Sequence, residues 1–278
     1  MKVNKNLRRV LGIIIVIAAL LVVYYTASKQ QAQSTAQTKS ETIDNIISDA
    51  IMTSNSEKYL KGECRAEGHV VLKTEEANGV LTAYTVASYG EFGFENGIFT
   101  KISGSGAIPT VITFDVAKDG SYILKDYKEP LDGSEYETSL KQMFPVELLK
   151  QLQSMDSYND NLSKQQEQYA AKYLALIGRE ATVQESYVEK SLPDMNTKAS
   201  NELLSMFSEY PYWAGSSEKV ENGVRYVYQT DWQSAGGGDG TVTYTKSIYN
   251  GNPVDKTVIL IKNGEMSYLS GTPRAPKA

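Results

Sequence analysis

The sequence predicts an α+β protein: an N-terminal transmembrane helix, then two antiparallel-sheet units joined by helices. Three observations predict it. An apolar run, broken only by Gly12, follows a basic N-terminus. Short alternating segments rich in Val, Ile, Thr and Tyr end in Asn-Gly or Asp-Gly pairs, which favour hairpin turns. Segments with apolar residues at helical spacing lie before and between these strands.

The first nine residues carry Lys2, Lys5, Arg8 and Arg9 and no acid, and residues 10–25 are apolar. At about 1.5 Å per residue such a run reaches about 24 Å, and snorkelling of Arg9 extends it toward a hydrocarbon core of about 30 Å. Tyr24 and Tyr25 stand where aromatic side chains meet the membrane interface. The positive-inside rule then keeps residues 1–9 in the cytoplasm, uses 10–27 as an anchor in the lipid bilayer and exports the remainder. A cleaved signal peptide is the competing reading. Its apolar core is usually about 7–15 residues, and Thr26-Ala27-Ser28 matches the required cleavage pattern only loosely. Both readings place the C-terminal region outside the cell membrane.

Residues 28–40 are small, polar and Gln-rich, the composition of a tether. A first α+β unit is expected over 41–136. It opens with an amphipathic helix at 41–54 bearing Ile43, Ile46, Ile47 and Ile51, and continues with strands at 66–75, 80–88, 108–116 and 121–128. Helices at 137–153 and 160–177 form a join over 137–181, with Gly178 suited to the helix C-terminus. The second unit, 182–272, carries a helix at 198–208 and strands at 219–230, 241–249, 256–262 and 265–270. The tail, 273–278, is expected to be disordered.

Composition removes several functions. Taking the four N-terminal cations from the 28 basic residues leaves 24 against 33 acids, a charge near −9. Such a surface repels polyanions, so no nucleic-acid partner is expected. The single cysteine, Cys64, cannot form an internal disulfide and is expected to be a small buried strand residue. Tyrosine outnumbers phenylalanine 19 to 6, which suits half-buried strands, and also suits a carbohydrate- or peptide-binding surface.

No catalytic or metal constellation emerges, and no cofactor is expected. A zinc hydrolase needs two or three histidines, and the chain has only His69. Cys64 and His69 fall on opposite faces of an extended strand, about 16 Å apart, too far for a nucleophile–base pair. Ser216-Ser217-Glu218-Lys219 matches S-x-x-K and Ser157-Tyr158-Asn159 resembles its companion motif. The order is reversed, however, and no K-T-G follows. The glycine run 236–240 precedes a strand, so it reads as a hairpin loop and not as a phosphate loop. Glu91, Glu95, Asp132 and Glu135 offer carboxylates for acid–base chemistry, but the local pattern predicts them solvated. The most unusual stretch is 89–106, where Tyr89, Phe92, Phe94 and Phe99 are interleaved with five glycines. These four rings are the candidate ligand-binding residues. The alternative is a bulged strand and loop capping the first core.

Four segments in this region, AEGHVVL (66–72), YGEFGFENGIFTKISGSGAIPTVITF (89–114), DGSYIL (119–124) and EPLDGSEYETSLKQMFP (129–145), carry a family resemblance. They resemble the extracytoplasmic C-terminal segment of clostridial BlaR/MecR-type membrane metallopeptidases, and 170–181 resembles its continuation. The peptidase domain has no counterpart in this chain, so no catalytic residue transfers. The resemblance implies a stand-alone outer module with a sensing, binding or regulatory role in cell-envelope signalling. Its expected partners are another membrane protein, a peptide or a cell-wall fragment. A carboxylate-based wall hydrolase and a structural envelope protein are the alternatives.

Overall fold

The computed structural model describes Lys29 and residues 42–276. The expected cytoplasmic end, the anchor at 10–27, most of the tether and the last two residues of the tail lie outside the described residues. No helix among the described residues is long and apolar enough to cross a membrane. The chain divides into two units, Met1–Asp49 and Ala50–Ala278. In the first, residues 42–49 are helical and belong to a helix, α1, that covers residues 42–55. In the second, the end of α1 buries Ile51 and Asn55, and the Asn55 Nδ2 donates to the Tyr127 hydroxyl at 3.0 Å.

The protein is α+β with a large antiparallel sheet. β1 (Cys64–Ala77) and β2 (Val80–Glu95) form a long hairpin in which Ala77 faces Val80 and Cys64 faces Phe92. Its turn, Asn78-Gly79, has φ of 52° and 73°, the left-handed pair that a two-residue hairpin needs. β3 (Ile98–Gly104) turns back along the end of β2, with the register shifting between Glu91 and Phe92. β4 (Ile108–Val116) pairs with the beginning of β2, and β5 (Tyr122–Lys128) with β4. The long β2 is therefore flanked by β1 on one edge and by β4 and then β3 on the other.

Helices α2 (Tyr136–Met143), α3 (Val146–Leu149) and α4 (Asp156–Leu176) follow. They pack on this first sheet. Phe144, Leu148 and Leu162 meet Val86, while Ala170 and Leu174 meet Phe92, Phe94 and Phe99. Close approach of α4 requires a glycine in β1: a Cβ on Gly68 would lie 2.5 Å from the Leu162 carbonyl oxygen. Gln165 completes the contact by accepting from the His69 N–H at 3.1 Å and donating to the His69 carbonyl at 2.9 Å.

After the short β6 (Val183–Gln184), which runs parallel to β3, α5 (Thr197–Met206) begins at Asn196, whose side chain accepts from the N–H groups of Lys198 and Ala199. This is an ordinary helix N-cap. A meander follows: β7 (Gly215–Glu221), β8 (Val224–Gly236), β9 (Asp239–Ile248), β10 (Pro253–Lys262) and β11 (Glu265–Ser270). Ala199, Leu203 and Phe207 cover its face at Tyr228, Val242, Tyr244, Ile259 and Ile261. Both sets of strands belong to one hydrogen-bonded sheet, because Glu95 of β2 pairs with Ser217 of β7. The Asn96 N–H also donates to the Ser216 carbonyl at 2.8 Å.

The described part of the tail, residues 273–276, has no helix or strand. Arg274 donates to Asp255 at 2.9 Å and to Glu209, and its guanidinium lies 4.5 Å from the centre of the Phe207 ring. A planar guanidinium can meet two carboxylates and an aromatic face at once.

Candidate functional site

The four aromatic residues proposed as a contact surface are core residues. Tyr89, Phe92 and Phe99 are fully buried and Phe94 is 1 % exposed. Phe99 stacks on Tyr173 of α4 at 5.6 Å and tilts against Phe94 at 4.8 Å. The hydroxyl of Tyr89 donates to Glu91. The cause is coverage on both faces: α4 lies on one side of the end of β2, while Tyr59 stacks on Tyr89 and the Gly62 N–H reaches Glu91 on the other. These rings therefore form the bulged strand that caps the first core and present no surface to a ligand.

The expectation of solvated carboxylates fails for two of the four. Glu91 and Glu95 are 2 % and 5 % exposed, whereas Asp132 and Glu135 are exposed. Glu91 accepts from the Gly62 N–H at 2.9 Å and from Tyr89. Glu95 pairs with Lys190 at 3.0 Å, and its second oxygen has no hydrogen-bond partner. The Lys190 ammonium also lies 4.2 Å from the centre of the Trp213 ring. Each buried acid thus has a structural partner.

His69 is a packed strand residue. Its Nδ1 lies 2.9 Å from Glu67 Oε2, and both side chains are buried. Ser216 lies within β7, and the neighbouring Lys219 donates to the Glu209 carbonyl at 2.7 Å. The glycine-rich 236–240 segment forms the β8–β9 turn, and its Gly238 carbonyl accepts from the Asn196 N–H at 3.0 Å. Among the described residues, no group of three His, Cys, Asp or Glu side chains could hold a metal ion.

Cys64 is buried, and burial together with Glu91 and Glu63 pushes its thiol up to about 11. The native protein should therefore resist thiol labelling at pH 8 and react stoichiometrically once unfolded in urea; rapid native labelling would contradict this burial. The sign for stability follows from the raised value. A thiol that ionises later when folded stabilises the fold below its unfolded value of 9.0, and that contribution disappears as pH rises through about 11.

Two arrangements escaped the residue pattern. The first is an ionic ladder where β7 and β8 meet the first sheet. Arg225 grips Glu63 with two hydrogen bonds of 2.7 and 2.8 Å and reaches Glu218 at 3.1 Å. Arg179 grips Glu218 with two bonds of 3.0 Å, while its guanidinium rests on Phe94 and Tyr249. Alternating charges of this kind join distant segments; Tyr173 also donates to Glu63 at 3.1 Å, and the buried Arg179 Nε has no hydrogen-bond partner.

The second is a cavity of about 30 Å³ between α5 and the meander. Leu203 and Phe207 line it on the helix side, Tyr244 and Thr230 on the sheet side, and Met195, Tyr210 and Tyr212 complete the lining. Phe207 stacks on Tyr244 at 4.1 Å, and Tyr210 sits edge-on to Phe207 at 5.9 Å. Tyr212 is 56 % exposed beside it. The run Phe207–Trp213, with four aromatic residues in seven, was the available signal. It yields a pocket only because β9 brings Tyr244 to it.

The chain matches no family model, no curated protein and no solved structure. The arrangement that its own residues define is an α+β protein with an aromatic cavity in its C-terminal half and a charge-locked join between the two sets of strands.

Proposed function

We propose that the chain is a membrane-anchored, non-catalytic binding module that faces the outside of the cell and serves regulation of the cell envelope. The observation that carries this reading is the order of the N-terminus: four cations, an apolar run, a polar stretch and then an acidic body. The resemblance of 66–145 to the outer segment of BlaR/MecR-type proteins supports it. So does the small cavity, which places aromatic and hydroxyl-bearing side chains beside an exposed tyrosine. A carboxylate-based wall hydrolase needs two acids facing a substrate, and the burial of Glu91 and Glu95 favours the binding role over it.

The test is site-specific photo-crosslinking in intact cells, with the crosslinker at Tyr212 and a control at Ile123, which is 61 % exposed on β5. The binding role predicts a discrete adduct with an envelope component from position 212 and none from 123. Equal adducts from both positions, or none, would count against it.

A further inference from the structure

The segment that follows β11 is fastened mainly by one residue. Of residues 271–276, only Arg274 is not exposed. Its backbone meets Tyr268, whose hydroxyl accepts from the Arg274 N–H at 3.0 Å. Gly271, at φ of 90°, lets the backbone pass close to β10, where a Cβ would lie 2.6 Å from Thr257 Oγ1. A segment with so little buried surface opens at small cost compared with the sheet beneath it.

Arg274 enters a set of groups that suits a guanidinium. Its Nη1 donates to Glu209, and its Nη2 to Asp255 at 2.9 Å. The centres of the Phe207 and Tyr210 rings lie 4.5 and 5.7 Å from the guanidinium carbon. Both rings are buried, whereas the Glu209 and Asp255 side chains stay within reach of solvent. Phe207 and Tyr210 belong to the core beneath α5, and Asp255 to β10. Three of the four groups therefore hold their places without Arg274.

A guanidinium matches this set better than an ammonium does. Its planar fork reaches two carboxylates while its face lies on a ring; an ammonium is a compact point charge without that face. Beyond the four N-terminal cations the chain carries 33 acids against 24 bases, so its field draws cationic partners toward it. We propose that Phe207, Tyr210, Glu209 and Asp255 form a recognition site for an arginine side chain of a partner protein, and that Arg274 occupies this site until the partner displaces it. Tethered beside the site, Arg274 competes at high effective concentration, so the partner's arginine binds more weakly than the open site alone allows. The assignment goes beyond the binding role proposed above and does not depend on it. Crosslinking at Tyr212 can fail while this site binds arginine, and the reverse.

The test uses the full chain in detergent micelles with 13C-labelled methionine methyls. Met206 reports on the site, because its sulfur accepts from the Tyr268 hydroxyl at 3.7 Å. In Arg274→Ala, N-acetylarginine methylamide should shift that signal saturably and bind at least about tenfold tighter than to the unaltered chain. N-acetylcitrulline methylamide, neutral and of similar shape, and N-acetyl-lysine methylamide should each bind at least about fivefold more weakly than the arginine probe. Adding Asp255→Asn to Arg274→Ala should weaken the arginine probe about tenfold. The signals of Met143 and Met155, which pack against the first sheet, should stay in place. Arg274→Gln, which keeps a polar stem without the charge, provides the same comparison if the alanine variant disturbs the fold. No binding to the Arg274 variants, or equal binding to them and to the unaltered chain, would overturn the proposal. So would equal binding of the citrulline or lysine probe, or an arginine response that Asp255→Asn leaves unchanged.

Discussion

Phe99→Ala is expected to lower the unfolding free energy by about 3–5 kcal/mol, the usual cost of truncating a buried aromatic residue. Urea denaturation of the purified chain, followed by tryptophan fluorescence, measures it. Phe99 is fully buried and touches Phe92, Phe94 and Tyr173, so its loss opens a void bordered by β2, β3 and α4. Such a void collapses only partly, because the surrounding rings are fixed by β-sheet register and by the helix. A ring that served an exposed contact surface would behave differently: its removal would change stability by under 1 kcal/mol and alter binding instead. The same experiment therefore separates the core role of 89–106 from the contact role its composition suggests.

Arg225→Ala is expected to cost about 3 kcal/mol. This is the lower end of the range for breaking an enclosed ion pair, because the Arg225 side chain retains 15 % exposure. The substitution leaves Glu63 without its two-pronged partner and Glu218 with Arg179 alone. Removing Glu63 as well should restore part of the loss, since the uncompensated carboxylate disappears with it. A double-mutant cycle measures that coupling. Full additivity would mean that the two groups act independently and that the ladder does not fasten the C-terminal strands to the first sheet.

The distribution of these features explains what was legible in the residues. β4 and the strands β8 to β10 of the meander alternate between a covered and a more open face, so alternation and Asn-Gly turns mark them. β11 begins and ends where the pattern places it. The end of β2 is covered on both faces, and such a strand loses its alternation. There the glycines and aromatics read as a loop, although Asn96-Gly97, with φ of 50° and 78°, carries the same turn signal as Asn78-Gly79. The environment of Glu91 was hidden for a different reason. Its donor, the Gly62 N–H, lies 29 positions away, and no local periodicity encodes that contact. The ladder is more remote still, since Glu63 and Arg225 are 162 positions apart. The cavity needs Phe207 from the end of α5 and Tyr244 from β9, so only the folded meander brings its walls together.

The orientation of the chain in the envelope is the claim on which the proposed role depends. Protease added to intact spheroplasts carrying the full-length chain with a C-terminal tag tests it most directly. The account predicts that the tag and the acidic body are digested while the membrane remains sealed and a cytoplasmic marker survives. A tag protected until the spheroplasts are lysed would contradict it.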